Sequence, residues 1–243
     1  PPSFVCLCAC AWFVRVVSWV RLWLSRMEAP VIEQVQRISL LTLARESFTG
    51  VAGALICGIM IGGFYALGPV YATLVGLDVA RTSTFMASAI VAAMILAWPL
   101  GRLCDRFDRR RVMFWVALFA ASAAGGVGVL GPANLWLLTL LVGLFTGLSA
   151  TLYPIAVAIT NDRMESTRIV AASATLLLSY GVGSVIGPVV MAELIRLLGP
   201  KGLFLGNAGF LLVLALVTRL RTTRPETFGV RATEASVPAP AAG

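Results

Sequence analysis

Charged residues are scarce in this sequence: of its 243 residues, 12% are Asp, Glu, Lys or Arg, and 59% are hydrophobic. An ordinary soluble domain carries about a quarter charged residues. A chain with half that share lacks the polar side chains needed to cover a water-exposed surface, so the composition indicates lipid as the solvent. The length is therefore best counted in membrane spans of about 20 residues each.

Histidine is absent altogether, which removes the commonest general base and metal ligand. The five cysteines do not replace it. Cys6, Cys8 and Cys10 form a C-x-C-x-C run without a second cluster, unlike the spacings of structural zinc sites, and Cys57 and Cys104 are isolated. The sequence shows no cluster of acids, thiols and bases, so we predict no metal, no cofactor and no enzymatic activity.

The net charge of +8 comes almost entirely from arginine. In a soluble protein such a surplus would indicate a nucleic-acid partner. Here the arginines lie between long apolar runs and near the C-terminus. We interpret them as topology determinants that contact anionic lipid head groups, and we predict the lipid bilayer, not nucleic acid, as the partner.

Six apolar runs dominate the chain from residue 49 onward, and most have the about 17–25 residues that a transmembrane helix needs. Helix is the only conformation open to them, because isolated strands cannot satisfy their backbone in lipid. Short connections make successive helices antiparallel. The sequence therefore predicts an all-α polytopic membrane protein, a bundle of six transmembrane helices. The runs are 49–75, 83–100, 112–130, 135–159, 170–194 and 202–217.

Three flanking segments differ from the predicted six-helix domain, residues 48–218. Residues 1–24 are apolar but contain Arg15 and Arg21, which fits a poor span, an interfacial helix or a segment foreign to the folded unit. Residues 25–47 read as a polar linker. Residues 219–243 are basic and then rich in Ala and Pro, and we expect them to be disordered on the cytoplasmic side.

The charged segment, Gly101–Arg111, separates the second and third runs and holds five arginines and two aspartates. With six antiparallel spans, the connections and tail on the same side of the membrane as this segment contain eleven Arg or Lys residues. Those on the opposite side contain three. The positive side of a membrane protein is cytoplasmic. We therefore predict a multi-pass protein of the cell (inner) membrane, with both ends of the six-helix unit in the cytoplasm.

A spaced motif within the charged segment closely resembles the signature loop of the major facilitator superfamily, which joins the second and third helices of a six-helix half. The family's second glycine is replaced here by Asp108. The resemblance implies that the segment latches one conformation of a transporter: a glycine lets helix ends approach, and a carboxylate accepts hydrogen bonds from helix N-termini. The motif residues are Gly101, Asp105, Arg106, Arg109 and Arg110.

A second motif, Gly183-x-x-x-Gly187-Pro188, lies on the fifth run. It is similar to a glycine-proline motif of superfamily antiporters. Glycines four residues apart also form a generic surface for close helix contact, and a proline kinks a helix. A mechanistic role and simple helix packing both remain open for this motif.

The resemblance extends over residues 28–227 and is strongest to the C-terminal half of YcaD-type transporters of the superfamily. It implies transmembrane transport of a small solute by alternating access. It also implies that a missing N-terminal half, or a second copy, completes the cleft. In the family the third and sixth helices face lipid. The segments that carry the resemblance are 62–72, 99–111, 153–154, 161–163 and 171–175.

Five hydroxyl-bearing residues within the runs are candidates for the wall of the solute cavity. The alternative for each is an interhelical hydrogen bond or a place in the interface belt. Asp162 and Arg163, at the end of the fourth run, are candidates for gating or capping. The competing hypothesis for the whole chain is a truncated membrane fragment without independent transport. The cavity candidates are Tyr65, Tyr71, Thr151, Tyr153 and Tyr180.

Overall fold

The structure is a computed structural model that describes residues 42–43, 47–131, 134–162, 164 and 168–222. Six long α-helices account for nearly all of this part of the chain, which contains no strand. All six are long and apolar enough to cross a membrane, which confirms the predicted all-α, six-span membrane protein. They are α1 (Phe48–Leu74), α2 (Val79–Arg106), α3 (Arg109–Leu130), α4 (Leu135–Asn161), α5 (Ile169–Leu198) and α6 (Gly202–Thr222).

The predicted N-terminal segment, residues 1–24, lies outside the described residues, as does the linker apart from residues 42, 43 and 47. The tail beyond residue 222 also lies outside them. The predicted tail began at residue 219, but residues 219–222 belong to the last helix, because α6 continues through Arg219 and Arg221 to Thr222.

The charged segment is mostly helical, which corrects the expectation of a loop. Gly101–Arg106 form the last turns of α2, and only Phe107 and Asp108 separate this helix from α3. Asp108 caps α3, because its carboxylate accepts hydrogen bonds from the backbone N–H of Arg110 (2.7 Å) and Arg111 (3.2 Å). A transmembrane helix can continue into charged residues where its end reaches water. The end of the apolar run at residue 100 therefore lies before the end of α2 at Arg106.

Glycines end the helices at the opposite side of the bundle. Gly131 and Gly199 are the C-caps of α3 and α5, with φ of 64° and 72°, and Gly76 follows α1 with φ of 81°. This left-handed backbone is open to glycine at little cost. The chain therefore reverses within a few residues and starts the next helix directly.

The closest helix crossing joins α1 and α5. A Cβ added to Gly183 would collide with the backbone carbonyl of Leu55, and one added to Gly187 would collide with that of Ile59. From the other side, a Cβ on Gly58 would meet the carbonyl of Tyr180. Lipid offers little hydrophobic force between helices, so such backbone-to-backbone packing holds the pair together.

A second glycine-mediated crossing joins α2 and α4. A Cβ on Gly143 would lie 3.2 Å from the Cβ of Ala92, and one on Gly147 would lie 2.8 Å from the Ala92 carbonyl oxygen. The third extensive pair is α3 with α6. The six helices thus form three intimate pairs, and α1 and α4 join these pairs at the centre.

Aromatic rings from four helices fill the core between the pairs. The Phe64 ring centroid lies 5.7 Å from that of Phe145 and 6.2 Å from that of Phe204. Tyr71 packs 4.8 Å from Phe204 and 6.0 Å from Phe85. All five side chains are at most 2% exposed, so each removes a large ring from lipid and fixes the depth at which the helices meet.

Burial is uneven among the helices. We compared the most apolar 18-residue stretch of each helix. In α1, α3 and α4, 56% of the residues of that stretch are buried, against 33% in α5 and 11% in α2. The exposed residues of α2 are large and apolar, among them Met94, Ile95 and Trp98. One side of the bundle therefore presents a nearly bare helix.

We predict that Gly187→Ala destabilises the bundle by about 1–3 kcal/mol, the usual cost of overpacking a filled interface. The matched control is Gly181→Ala in the same helix, where an added Cβ meets nothing within 4 Å. The measurement is thermal unfolding in detergent. A melting temperature of Gly187→Ala equal to that of Gly181→Ala would contradict the close crossing.

Candidate functional site

Two adjoining cavities open where α2 ends. The first has a volume of about 450 Å³ and lies between the charged segment and the end of α4. The second, of about 270 Å³, runs along the groove between α2 and α4. Both are lined by Cys104, Asp105 and Arg109, so these side chains stand between the groove and the surface.

Arg109 links the start of α3 to the end of α4. Its Nη1 donates a 3.2 Å hydrogen bond to the backbone carbonyl of Ala158 and forms an ion pair with the Asp162 carboxylate. The carbonyls at a helix C-terminus carry partial negative charge, so both partners attract the guanidinium. The Arg109 and Asp162 side chains are 34% and 55% exposed, and solvent screening limits such a pair to about 0.2–1 kcal/mol.

Arg110 links the same end of α3 to α6. Its Nη1 donates a 3.2 Å hydrogen bond to the backbone carbonyl of Arg221, in the last turn of α6. Consecutive arginines therefore diverge, with Arg109 directed to α4 and Arg110 to α6. Any shift of α3 along its axis must break one or both of these contacts.

Asp105 has a different environment from the other carboxylates of this region. It is exposed, and it makes no hydrogen bond or ion pair with any residue that the structure describes. Arg106 is exposed beside it in the last turn of α2. A Cβ on Gly101 would meet nothing within 4 Å, so the open face of this glycine is not occupied by the described part of the chain.

Asp108 marks the departure from the family pattern, and the structure gives it a physical role. A glycine at this position supplies no side-chain acceptor, whereas the Asp108 carboxylate accepts from two N–H groups at the start of α3. An N-cap of this kind contributes about 1 kcal/mol to helix stability. The capping bonds hold Arg109 and Arg110 at the positions from which they reach their carbonyl acceptors.

A contact that the sequence did not suggest closes the same end of the bundle. The hydroxyls of Ser47 and Thr160 lie 3.1 Å apart, between the start of α1 and the end of α4, and both residues are fully buried. A Cβ on Gly50 would collide with the Thr160 hydroxyl. The available signal was a hydroxyl at each of two helix ends on the same side of the membrane.

The five predicted cavity residues separate into distinct environments. Tyr153 and Tyr180 lie together, with ring centroids 5.0 Å apart across α4 and α5, and Tyr65 is 41% exposed on α1. Thr151 lines the 270 Å³ cavity, although its hydroxyl donates to the Leu148 carbonyl in its own helix. Tyr71 belongs to the aromatic core, since a ring that reaches Phe85 and Phe204 has no open surface.

The glycine-proline motif lies at the α1·α5 crossing. Gly183 and Gly187 contact the backbone of α1, and Pro188 lies inside α5. Each of α1, α2, α4 and α5 contains one proline, whereas α3 and α6 contain none. Proline removes a backbone hydrogen bond, so the four helices of the α1–α5 and α2–α4 pairs are the ones weakened for bending.

Comparisons with known proteins agree with this arrangement. A sequence profile of the Major Facilitator Superfamily matches residues 4–242, which includes the first two dozen residues that the resemblance had left out. Proteins named "Uncharacterized MFS-type transporter YcaD" from Escherichia coli O139:H28 (strain E24377A / ETEC) and Escherichia coli O9:H4 (strain HS) are 32% and 33% identical over 178 residues. Each alignment covers 71% of this chain and 44% of the relative. The chain thus spans less than half the length of these relatives.

We predict that Asp162→Asn raises the rate of thiol modification at Cys104 about two- to fivefold, because losing an ion pair of about 0.5–1 kcal/mol frees the ends of α3 and α4. Labelling with a maleimide, with Cys6, Cys8 and Cys10 replaced by serine, measures this rate. The matched control is Glu193→Gln, which breaks the exposed Glu193–Arg196 pair elsewhere. Equal rates in both variants would show that the Arg109–Asp162 pair does not restrain the cavity.

Proposed function

The chain belongs to the major facilitator superfamily, and from that membership we propose that it acts as the C-terminal six-helix half of a transporter that moves a small solute by alternating access. Transporters of this kind bind solute near the middle of the membrane, between two halves that rock against each other. We further propose that the charged segment faces the cytoplasm from the inner membrane, as the arginine distribution favours.

The exposure of α2 is the observation that carries the proposal. Only 11% of its most apolar window is buried within the bundle, whereas α1, α3 and α4 bury 56%. A helix that faces only lipid can leave its apolar side chains exposed. The exposed face of α2, however, also carries small residues: Ala93, Ala97 and Gly101 line a groove between α2 and α4. Small residues in a membrane suit the close approach of another helix, so this face fits a partner half better than lipid alone.

The groove supplies one wall of a cleft. The groove itself reaches Asp105 and Arg109. A separate cavity of about 450 Å³ lies farther along the same two helices and is lined mostly by apolar residues, from Ser88 to Leu96 on α2 and from Trp136 to Leu144 on α4. A missing N-terminal half, or a second copy of this chain, would supply the opposite wall.

Asp105 is suited to the latch. Its carboxylate is exposed beside the groove and has no donor among the described residues, whereas Asp108 and Asp162 have donors within the bundle. A helix N-terminus or an arginine of the opposite half would stabilise it in the conformation that brings the two together. Separation of the halves would then break that bond and open the cleft on this side.

Tyr153 and Tyr180 are the proposed solute-facing pair. They come from α4 and α5, are half-buried, and present aromatic surface and hydroxyls within the span. Tyr65 and Thr151 extend this wall along α1 and α4. Such a surface suits a small neutral or amphiphilic solute, because it offers ring faces and hydroxyl groups without a fixed charge.

We predict that Asp105→Asn shifts the inward–outward balance about tenfold, the effect of losing a charge-assisted hydrogen bond of about 1.5 kcal/mol. The measurement is maleimide labelling of Thr151→Cys from each side of membrane vesicles, with this chain co-expressed with the remainder of the Escherichia coli relative. Asp78→Asn is the control, because it removes a carboxylate at the other end of α2 and asparagine still caps a helix. Labelling unchanged by Asp105→Asn would refute the latch.

We predict that Ala97→Trp prevents assembly with the complementary half, because the indole fills the groove on the exposed face of α2. Co-purification of a tagged chain with the remainder of the relative measures assembly. Ser122→Trp, on the exposed face of α3, is the control and should leave assembly intact.

The competing proposal is a membrane fragment that transports nothing by itself. If the wild-type chain fails to assemble with either the complementary half or a second copy, this alternative holds. Assembly that Ala97→Trp abolishes and Ser122→Trp preserves supports the half-transporter.

A further inference from the structure

Leu43 anchors the chain that leads into α1. It belongs to a segment whose sequence indicates a polar linker, yet its side chain is fully buried. It forms one buried cluster with Ala54 on α1 and with Ala172 and Leu176 on α5, and we call these four residues the Leu43 cluster. Burial of an apolar side chain favours the docked position of a segment, so this part of the chain is held on the bundle.

Ser47 fastens the same part of the chain to α4. Its backbone N–H donates a 2.7 Å hydrogen bond to the carbonyl of Leu43, one helical turn away. The Thr160 hydroxyl donates to the carbonyl of Ala156 at 3.0 Å. Ser47 is therefore the donor in the 3.1 Å contact between the Ser47 and Thr160 hydroxyls. Leu43 and Ser47 together bridge α5 and α4, and we call these two residues the strap.

α4 and α5 are the pair of helices that a bridge would hold together. They contact each other much less than either of them contacts α1. Where they meet, the ring centroids of Tyr153 and Tyr180 lie 5.0 Å apart. Each helix also contains a proline, Pro154 or Pro188, which removes a backbone hydrogen bond. Little packing therefore opposes their separation apart from the elements that lie across both.

The Leu43 cluster lies between the tyrosine pair and the end of the bundle that carries the charged segment. Tyr153, Val157 and Tyr180 all pack against it. Tyr153 and Val157 are four residues apart on α4, as are Leu176 and Tyr180 on α5, so one face of each helix runs from the pair to the cluster. The pair lies roughly 12–16 Å inside the ends of these helices, at 1.5 Å per residue.

Leu43 supplies volume that its neighbours lack. Ala54 and Ala172 have side chains of a single methyl group, and both are fully buried. Helices that present alanine at a junction cannot fill it with these side chains, and protein interiors are packed without voids of that size. Withdrawal of Leu43 would therefore leave a gap next to the tyrosine pair, open towards the side of the charged segment.

We propose that the strap is a gate: Leu43 closes the gap between α4 and α5 beneath Tyr153 and Tyr180, and its withdrawal opens a path from this pair to the side of the charged segment. This role rests on the proposed function, because it takes the pair to face the solute. The structure has the gate closed, with Leu43 buried and Ser47 bonded to α4. The gate is separate from the Asp105 latch, which lies at the end of α2.

The test is the rate at which a maleimide labels Val157→Cys in the purified full chain, with the five native cysteines replaced by alanine. Val157 packs against the Leu43 cluster, so its reactivity reports whether the strap is in place. We expect Leu43→Ala to raise the rate about tenfold, because it removes the contacts that favour the closed state. Ser47→Ala keeps the leucine and loses one hydrogen bond, and it should raise the rate about fivefold.

The matched control is Leu138→Ala, which makes the same substitution at a buried leucine near the opposite end of α4. It should leave the labelling of Val157→Cys unchanged. A second reporter, Val142→Cys, is fully buried away from the strap and should stay unreactive in Leu43→Ala. If it becomes reactive, Leu43→Ala has unfolded the bundle, and the rate in Ser47→Ala decides.

The proposal is overturned if Leu43→Ala and Leu138→Ala raise the rate equally, or if neither strap variant raises it. The labelling needs no solute and no second half, so its outcome is separate from that of transport. Transport by the assembled protein with labelling unchanged by Leu43→Ala and Ser47→Ala would overturn the gate alone. Faster labelling in both strap variants of a protein that never transports would overturn the proposed function and keep the movable strap.

Discussion

The close approach of α1 and α5 is the contact on which the rest of the bundle depends. Gly58, Gly183 and Gly187 bring two backbones together where any Cβ would collide with a carbonyl. In lipid the helices gain little from hydrophobic burial against each other, so contact area and the fit of the backbones decide which faces meet. With α1 placed against α5, its remaining faces are free to carry Phe64 and Tyr71 into the core shared with α4 and α6.

The charged segment uses one kind of side chain for three kinds of contact. Arg109 joins α3 to α4 through a carboxylate and a carbonyl, and Arg110 joins α3 to α6 through a carbonyl. Arg102 instead stacks on Trp98 of its own helix, with 3.8 Å from its guanidinium carbon to the ring centroid. Arg109 and Arg110 meet different neighbours because consecutive residues of a helix point about 100° apart, and Arg102 lies on a different helix.

The contrast between the two sides of the bundle links the fold to the proposed function. On one side α2 is bare and lines a groove of small residues, which suits a second half of the same kind of fold. On the other side α3 and α6 are packed together and expose large apolar side chains, which suits lipid. Prolines occur in α1, α2, α4 and α5 and not in α3 or α6, so the helices that would line the cleft are those that can bend.

The sequence by itself determined the solvent, the number of spans and the family. A shortage of charge over runs of about 20 residues leaves no alternative to transmembrane helix, and the spacing of Gly101, Asp105 and Arg109 is local enough to read directly. Only the tertiary structure decided what those residues touch. It placed Tyr71 in the core and extended α2 through Arg106. It also separated Asp105, which has no donor among the described residues, from Asp108 and Asp162, which have donors there. These distinctions depend on contacts between residues far apart in the chain, and the pattern of hydropathy along it contains no information on which helix faces meet.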